Sequence, residues 1–211
     1  MLYVFTLGFH ADHIIRRLSR SRSIESIVIF TAKPVVRAVV NTFKEVLAFC
    51  DRARLPIPRL VEIPPDDAAE SIYIVLSELG SWDKVVADLS GGMRSIVVLV
   101  LTALLIHSMK SYVVIYTSAE REDLPEFSIS LDLIRTIMTK SLSREKFKIV
   151  QEIMKTPGIT ITELAQTLNK SEKTIRNYLA ELKRLELIKI KGPKQNIYPT
   201  KWAEIIKKIQ Q

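Results

Sequence analysis

Cysteine is nearly absent: the chain of 211 residues holds Cys50 alone. One thiol excludes an internal disulfide framework and a cysteine zinc centre, and it fits a reducing, cytoplasmic setting. Its neighbours Val46-Leu47-Ala48-Phe49 make a buried small hydrophobe the simplest reading. Long apolar runs are also lacking. The longest, Ile96 to Ile106, falls short of the roughly 20 residues that cross a bilayer, so it reads as a helix buried inside a domain and no membrane partner is expected. The start, Met1-Leu2-Tyr3-Val4-Phe5-Thr6, has neither the positive flank nor the cleavage pattern of a secretory signal. There is no internal repeat and no low-complexity tract. Walker A, the Gly-x-Gly-x-x-Gly dinucleotide fingerprint and the Gly-x-Ser-x-Gly nucleophile elbow are missing, which argues against an NTPase, a dinucleotide enzyme and an α/β-hydrolase. No catalytic residue, metal ligand or cofactor site is assigned.

What is present is a charge asymmetry. The formal net charge is +8. Residues 1–140 carry 16 basic and 16 acidic side chains, whereas residues 141–211 carry 15 basic and 7 acidic. The last third therefore holds the whole excess and is the part suited to a polyanion.

That third has helical periodicity from Ser143 to Lys155, stopped by Pro157-Gly158. The segment Ile159-Thr160-Ile161 alternates like a strand, with Thr162 expected to cap a helix over 163–168. Asn169-Lys170 turns the chain, and Ser171 caps a further helix to about Glu186 with Ile175, Tyr178, Leu179, Leu182 and Leu185 on one face. Leu187 to Lys191 and Asn196 to Pro199 flank a Gly-Pro turn as a hairpin, and Lys201 to Ile209 forms a last helix. Two amphipathic helices across a short turn followed by a hairpin resemble the winged helix-turn-helix regulators. On the outward face Arg176 suits guanine and Asn177 adenine in a major groove. Ser171, Lys173 and Thr174 suit phosphates, Arg184 extends the same face, and Lys189, Lys191 and Lys194 arm the wing. Double-stranded DNA is the expected partner; a winged helix used for protein contacts is the rival.

The first part alternates strands and helices. Strands are expected at Leu2–Thr6, Ile27–Phe30, Leu60–Ile63, Val85–Leu89 and Tyr112–Thr117, with helices between them. The pattern predicts a mainly parallel, doubly covered, Rossmann-like sheet. Ligands of such sheets lie beyond the strand carboxyl ends where strand order reverses, which singles out two loops. One is Thr6-Leu7-Gly8-Phe9-His10, with Asp12 close behind. The other is Asp88-Leu89-Ser90-Gly91-Gly92-Met93-Arg94-Ser95. Gly91 and Gly92 permit close approach to the backbone, the following helix start offers N–H groups to an anion, Ser90 and Ser95 add hydroxyls, and Arg94 adds a planar cation. Asp88 orients the loop or meets a ribose hydroxyl. The domains are expected at 1–126 and 141–211, joined by a linker over 127–140.

Asp-x-Ser-Gly-Gly-x-Arg after the fourth strand and Thr-x-Gly-Phe after the first resemble the CARF (CRISPR-associated Rossmann fold) domain. With the winged helix behind it, the whole chain is similar to archaeal CRISPR-associated transcription regulators. The resemblance implies a homodimer paired through its CARF domains. It also implies a cyclic oligoadenylate ligand, cyclic tetra-adenylate first, held by Gly8, Phe9 and the 90–95 loop, with His10 and Asp12 nearby. The function implied is ligand-controlled transcription regulation, without enzyme activity. The alternatives are a ring nuclease that cleaves its own ligand, with Ser90, Arg94 and His10 assisting, and a DNA-binding module whose first domain only dimerises.

Overall fold

The computed structural model describes residues 1–118, 125–139, 141–193 and 195–210. The chain divides into two compact units, Met1–Leu131 and Asp132–Gln211.

In the first unit five parallel strands, β1 (Leu2–Thr6), β2 (Ser26–Ala32), β3 (Arg59–Ile63), β4 (Lys84–Asp88) and β5 (Tyr112–Thr117), lie in the order β3-β2-β1-β4-β5. A sixth, β6 (Phe127–Ser130), pairs antiparallel with β5 at the edge. Strand order reverses between β1 and β4, whose register pairs Phe5 with Asp88. β1 is buried at every residue, as a sheet covered on both faces requires. Alternate residues serve opposite layers. Tyr3, Phe5 and Leu7, with Ile27 and Ile29, face α1 (Asp12–Arg20) and α2 (Arg37–Arg52), and Cys50 lies in this same core. The helices α3 (Ala68–Leu79) and α4 (Arg94–His107) pack side by side. Asp67 caps α3 by accepting from the Glu70 N–H at 3.0 Å. The apolar run read as a buried helix is α4, with Ile96, Val100, Ala103 and Leu104 wholly enclosed. No helix among the described residues is long and apolar enough to cross a membrane.

The sequence leaves 127–140 as a linker, whereas the structure places β6 and α5 (Leu131–Met138) there. A four-residue strand and a two-turn helix are too short for their periodicity to stand out. Leu133 and Ile137 of α5 join the core of the second unit.

That unit contains α6 (Arg144–Lys155), α7 (Ile161–Thr167), α8 (Glu172–Arg184), the hairpin β7 (Ile188–Lys191) and β8 (Asn196–Pro199), and α9 (Lys201–Gln210). The expected Thr162 cap and 159–161 strand are corrected here. Thr160 is the N-cap, in a reciprocal capping box with Glu163, because only the Thr160 spacing sets a glutamate three residues on. The strand shrinks to one bridge, Ile159 to Ile197. Small Ala165 is buried between α7 and its neighbours, and its carbonyl accepts from the Lys170 N–H at 2.9 Å.

Candidate functional sites

At the carboxyl end of the sheet the β1–α1 and β4–α4 loops interlock through glycine. A Cβ on Gly8 would stand 3.2 Å from both Cα and N of Gly92. Gly92 has φ +94°, which favours glycine, and a Cβ there would meet the Thr6 Cβ at 3.2 Å. A Cβ on Gly91 would fall 2.3 Å from Cε1 of His13, far inside van der Waals contact. Only residues without side chains allow the two backbones to meet in this way. The Thr6 hydroxyl donates to the Gly91 carbonyl at 2.5 Å, closing the junction.

Behind the glycines lies a buried polar layer. His13 Nε2 is 3.1 Å from the Thr6 carbonyl oxygen, so that nitrogen carries the proton and donates. Burial pushes the ring's pKa down, against the pull of the Asp88 charge and the Thr6 hydrogen bond. The Asp88 carboxylate accepts from the Ser90 N–H at 3.1 Å and the Ser90 hydroxyl at 2.5 Å. Its other oxygen accepts from Arg17 Nε at 3.1 Å. The Arg17 guanidinium also lies 3.7 Å over the Tyr116 ring and pairs with Glu126. The Ser90 hydroxyl in turn accepts from the Ser118 N–H at 2.9 Å, and Arg16 reaches the Ser118 hydroxyl at 3.1 Å. This network ties the 88–92 loop to α1 and to the end of β5.

The sequence-predicted residues therefore separate into a floor and a rim. Thr6, Leu7 and Asp88 are buried and build the floor; Asp88 orients the loop. Gly8, Ser90, Gly91, Gly92 and Ser95 are half-buried. Phe9 (67% exposed), His10, Asp12, Met93 and Arg94 stand at the rim. No side chain caps α4, leaving its first-turn N–H groups for an anion. His13, Arg16, Arg17 and Ser118 were missed by sequence reasoning. The only signal was that His13 and Arg17 sit four apart on the helix beside Ile14 and Leu18, at the edge of its buried face.

In the second unit Ile175, Leu179 and Leu182 hold α8 to the core. That leaves Lys173, Arg176, Asn177, Ala180 and Arg184 exposed, one face at helical spacing. Ser171 caps α8, accepting from the Thr174 N–H at 3.2 Å, and the two hydroxyls lie 2.9 Å apart. Arg184 borders a polar cleft with Lys146 and Glu181, which are themselves paired at 2.6 Å. Lys170, at the helix-turn-helix corner, pairs with Glu145 at 2.7 Å. This contact raises the lysine's pKa and lowers the carboxyl's. On the wing Lys189 and Lys191 are exposed on one face of β7, and Lys191 Nζ lies 5.9 Å from the Tyr198 ring centroid. Lys194 lies outside the described residues. Among the described residues no cluster of His, Cys, Asp and Glu is suited to a metal ion.

Comparison with known proteins covers both units. Residues 1–132 match the model of the Csa3 CRISPR-associated Rossmann-like domain, and residues 143–189 match a winged helix-turn-helix DNA-binding model. The CRISPR locus-related protein Csa3 of Saccharolobus solfataricus is 32% identical over 198 residues, spanning 92% of this chain and 82% of that protein. Its counterpart in Thermoproteus tenax is 28% identical over 199 residues, 92% of this chain and 88% of that one. Among solved structures, Can2 from Sulfobacillus thermosulfidooxidans in complex with cyclic tetra-adenylate has a TM-score of 0.46 at 12% identity. That match covers 99% of this chain and 61% of the longer Can2 chain.

Proposed function

The chain belongs to the Csa3 family of CRISPR-associated proteins, which join a Rossmann-like CARF domain to a winged helix, and from that premise we propose a ligand-controlled DNA-binding regulator. In this reading a homodimer holds a cyclic oligoadenylate, cyclic tetra-adenylate first, at the sheet ends, and binds double-stranded DNA through α8 and the wing. The observation that carries it is the interlocked Gly8–Gly91–Gly92 cradle beside the uncapped start of α4. The cradle exposes backbone where phosphates need it, Phe9 and Met93 offer apolar surface to bases, and Arg94 offers a planar cation to phosphate. Gly8, Phe9, His10, Asp12 and residues 90–95 are the proposed contacts, with Thr6, Leu7 and Asp88 supporting from beneath.

The surface of α4 supports the dimer in this reading. Val98 (59% exposed), Ile106 (48%) and Met109 just beyond it (60%) form an apolar stripe running away from Arg94, with Leu101 and Leu105 half-buried along it. A second copy covering this stripe sets two cradles side by side, and a twofold pocket suits a ligand with matching symmetry. Ligand and DNA are coupled to the extent that the DNA-competent and incompetent states differ in ligand affinity. β6 ends at Ser130 and α5 begins at Leu131, the next residue. The protein works in the cytoplasm and leaves its ligand intact.

The test is calorimetric titration of the full chain with cyclic tetra-adenylate, sedimentation for the dimer, and duplex DNA binding with and without the ligand. Tight ligand binding and a shifted DNA affinity are expected. Absence of binding by any cyclic oligoadenylate reduces the first unit to a dimerisation module. Linear products by chromatography, lost in Arg94→Ala, would make it a ring nuclease.

A further inference from the structure

A partly exposed carboxylate stands at the start of α8, flanking the helix's exposed face. Glu172, in the first turn, uses both oxygens. Oε1 accepts from the Thr162 hydroxyl of α7 at 2.7 Å, and Oε2 accepts from Arg176 Nη2 at 3.2 Å, one helical turn away. These contacts hold its pKa below the usual carboxylate range, the Thr162 hydrogen bond first and the Arg176 bond next. An acidic side chain in a first turn complements the helix dipole anyway, but that role needs neither partner. The link from α7 through Glu172 to Arg176 is a separate feature.

We propose that Glu172 is a specificity-determining residue that positions Arg176 for a guanine in the major groove and penalises its use on phosphate. The proposal rests on the reading of α8 as the DNA-reading helix. The argument is one of charge and conformational freedom. A free arginine has many rotamers and loses that freedom on binding. Glu172, pinned by a group from another helix, restricts them before DNA arrives. The guanidinium has five N–H donors, two of them on Nη2, so one Nη2 hydrogen can stay on Glu172 while the other joins Nη1 as a fork for guanine O6 and N7. When Arg176 swings to a phosphate instead, Glu172 is left close to the polyanion without its cation. Wrong sequences are thereby disfavoured by a repulsive element as well as by lost contacts.

The test begins with selection of duplexes from a randomised pool by the full-length wild-type chain. Arg176→Ala, Glu172→Ala, Glu172→Gln and Thr162→Val are then measured on the selected and random duplexes across a range of salt. Arg176→Ala is expected to lose a guanine preference at one position. Glu172→Ala is expected to reduce preference at that same position about tenfold while random duplexes bind more tightly. Its salt dependence on random DNA steepens by about one phosphate contact as Arg176 is released to the backbone. Glu172→Gln, which retains the Thr162 bond and loses the charge, falls between. Thr162→Val removes the pin with the charge intact and gives a smaller loss at the same position, so the result does not depend on Glu172→Ala folding. An unchanged base preference in Glu172→Ala or Glu172→Gln overturns the proposal and leaves DNA reading by α8 standing. A base preference untouched by Arg176→Ala overturns both.

Discussion

The two units present their functional groups in opposite ways. In the winged-helix unit the polar side chains of interest are exposed and paired only at the surface, as Arg176 with Glu172 and Lys170 with Glu145 are. Surface pairs of this kind contribute about 0–1 kcal/mol, so they bias where an exposed cation sits without enclosing it. In the CARF unit the ionic pair beneath the cradle is enclosed. Arg17 and Asp88 side chains are 11% and 4% exposed, while Phe9, Met93 and Arg94 stand exposed at the rim. The face proposed to read DNA is carried by exposed side chains. The cradle proposed for a nucleotide is carried by loop shape, and the buried charges maintain that shape.

The contrast is broken most severely by Arg17→Ala. Removing one partner of an enclosed ion pair leaves Asp88 uncompensated, at a cost of about 3–5 kcal/mol. Hydrogen exchange should show amides of the first unit losing protection while those of the second keep theirs. Gly91→Ala comes next. Its Cβ would strike the buried His13 ring, and overpacking of this kind costs about 1–3 kcal/mol. Calorimetry should show cyclic tetra-adenylate binding lost, and a second substitution, His13→Ala, should restore part of it by making room.

In the other unit Arg176→Ala should cost about 1–3 kcal/mol at one base position with no change in the melting curve. An equal loss on every sequence would show the residue to be a phosphate contact. A smaller effect is expected from pH. Burial lowers the His13 pKa from its ordinary 6.5, so below that pH the unfolded chain takes up the proton more readily than the folded one. Stability of the first unit is therefore full above about pH 6.5 and declines as pH falls toward the folded value. Urea titrations at about pH 8 and about pH 5 should show the decline, and His13→Gln should flatten it. The smallest effect belongs to Lys191→Ala, which should weaken all duplexes alike and flatten the salt dependence by about one phosphate contact.

Much of this was legible in the sequence, unevenly between the units. The five parallel strands were readable as apolar runs between helical segments, and β1 and β5 agree to the residue. The outward face of α8 followed from periodicity, because an amphipathic helix declares its exposed side by where its apolar residues are absent. The Thr160 cap was written in the Thr160–Glu163 spacing, although Thr162 stands closer to the apolar residues and competes for the same role. Neither β6 nor α5 is long enough to show a period. Arg16 and Arg17 read identically as consecutive basic residues, yet one reaches an exposed hydroxyl and the other enters a buried carboxylate.

The sequence by itself determined the element order, the basic balance of the last third, the two glycine-bearing loops and the exposed face of α8. These rest on local periodicity, composition and backbone permissiveness, all properties of neighbouring residues. Only the tertiary structure decided that Gly8 and Gly92 meet, that His13 fills the space behind Gly91, that Asp88 faces Arg17 rather than solvent, and that Thr162 reaches Glu172. Each of these joins different elements of the fold, and Gly8 and Gly92, like Arg17 and Asp88, lie scores of residues apart in the chain. Their proximity is set by strand order and helix packing, which a linear pattern of residue types does not encode.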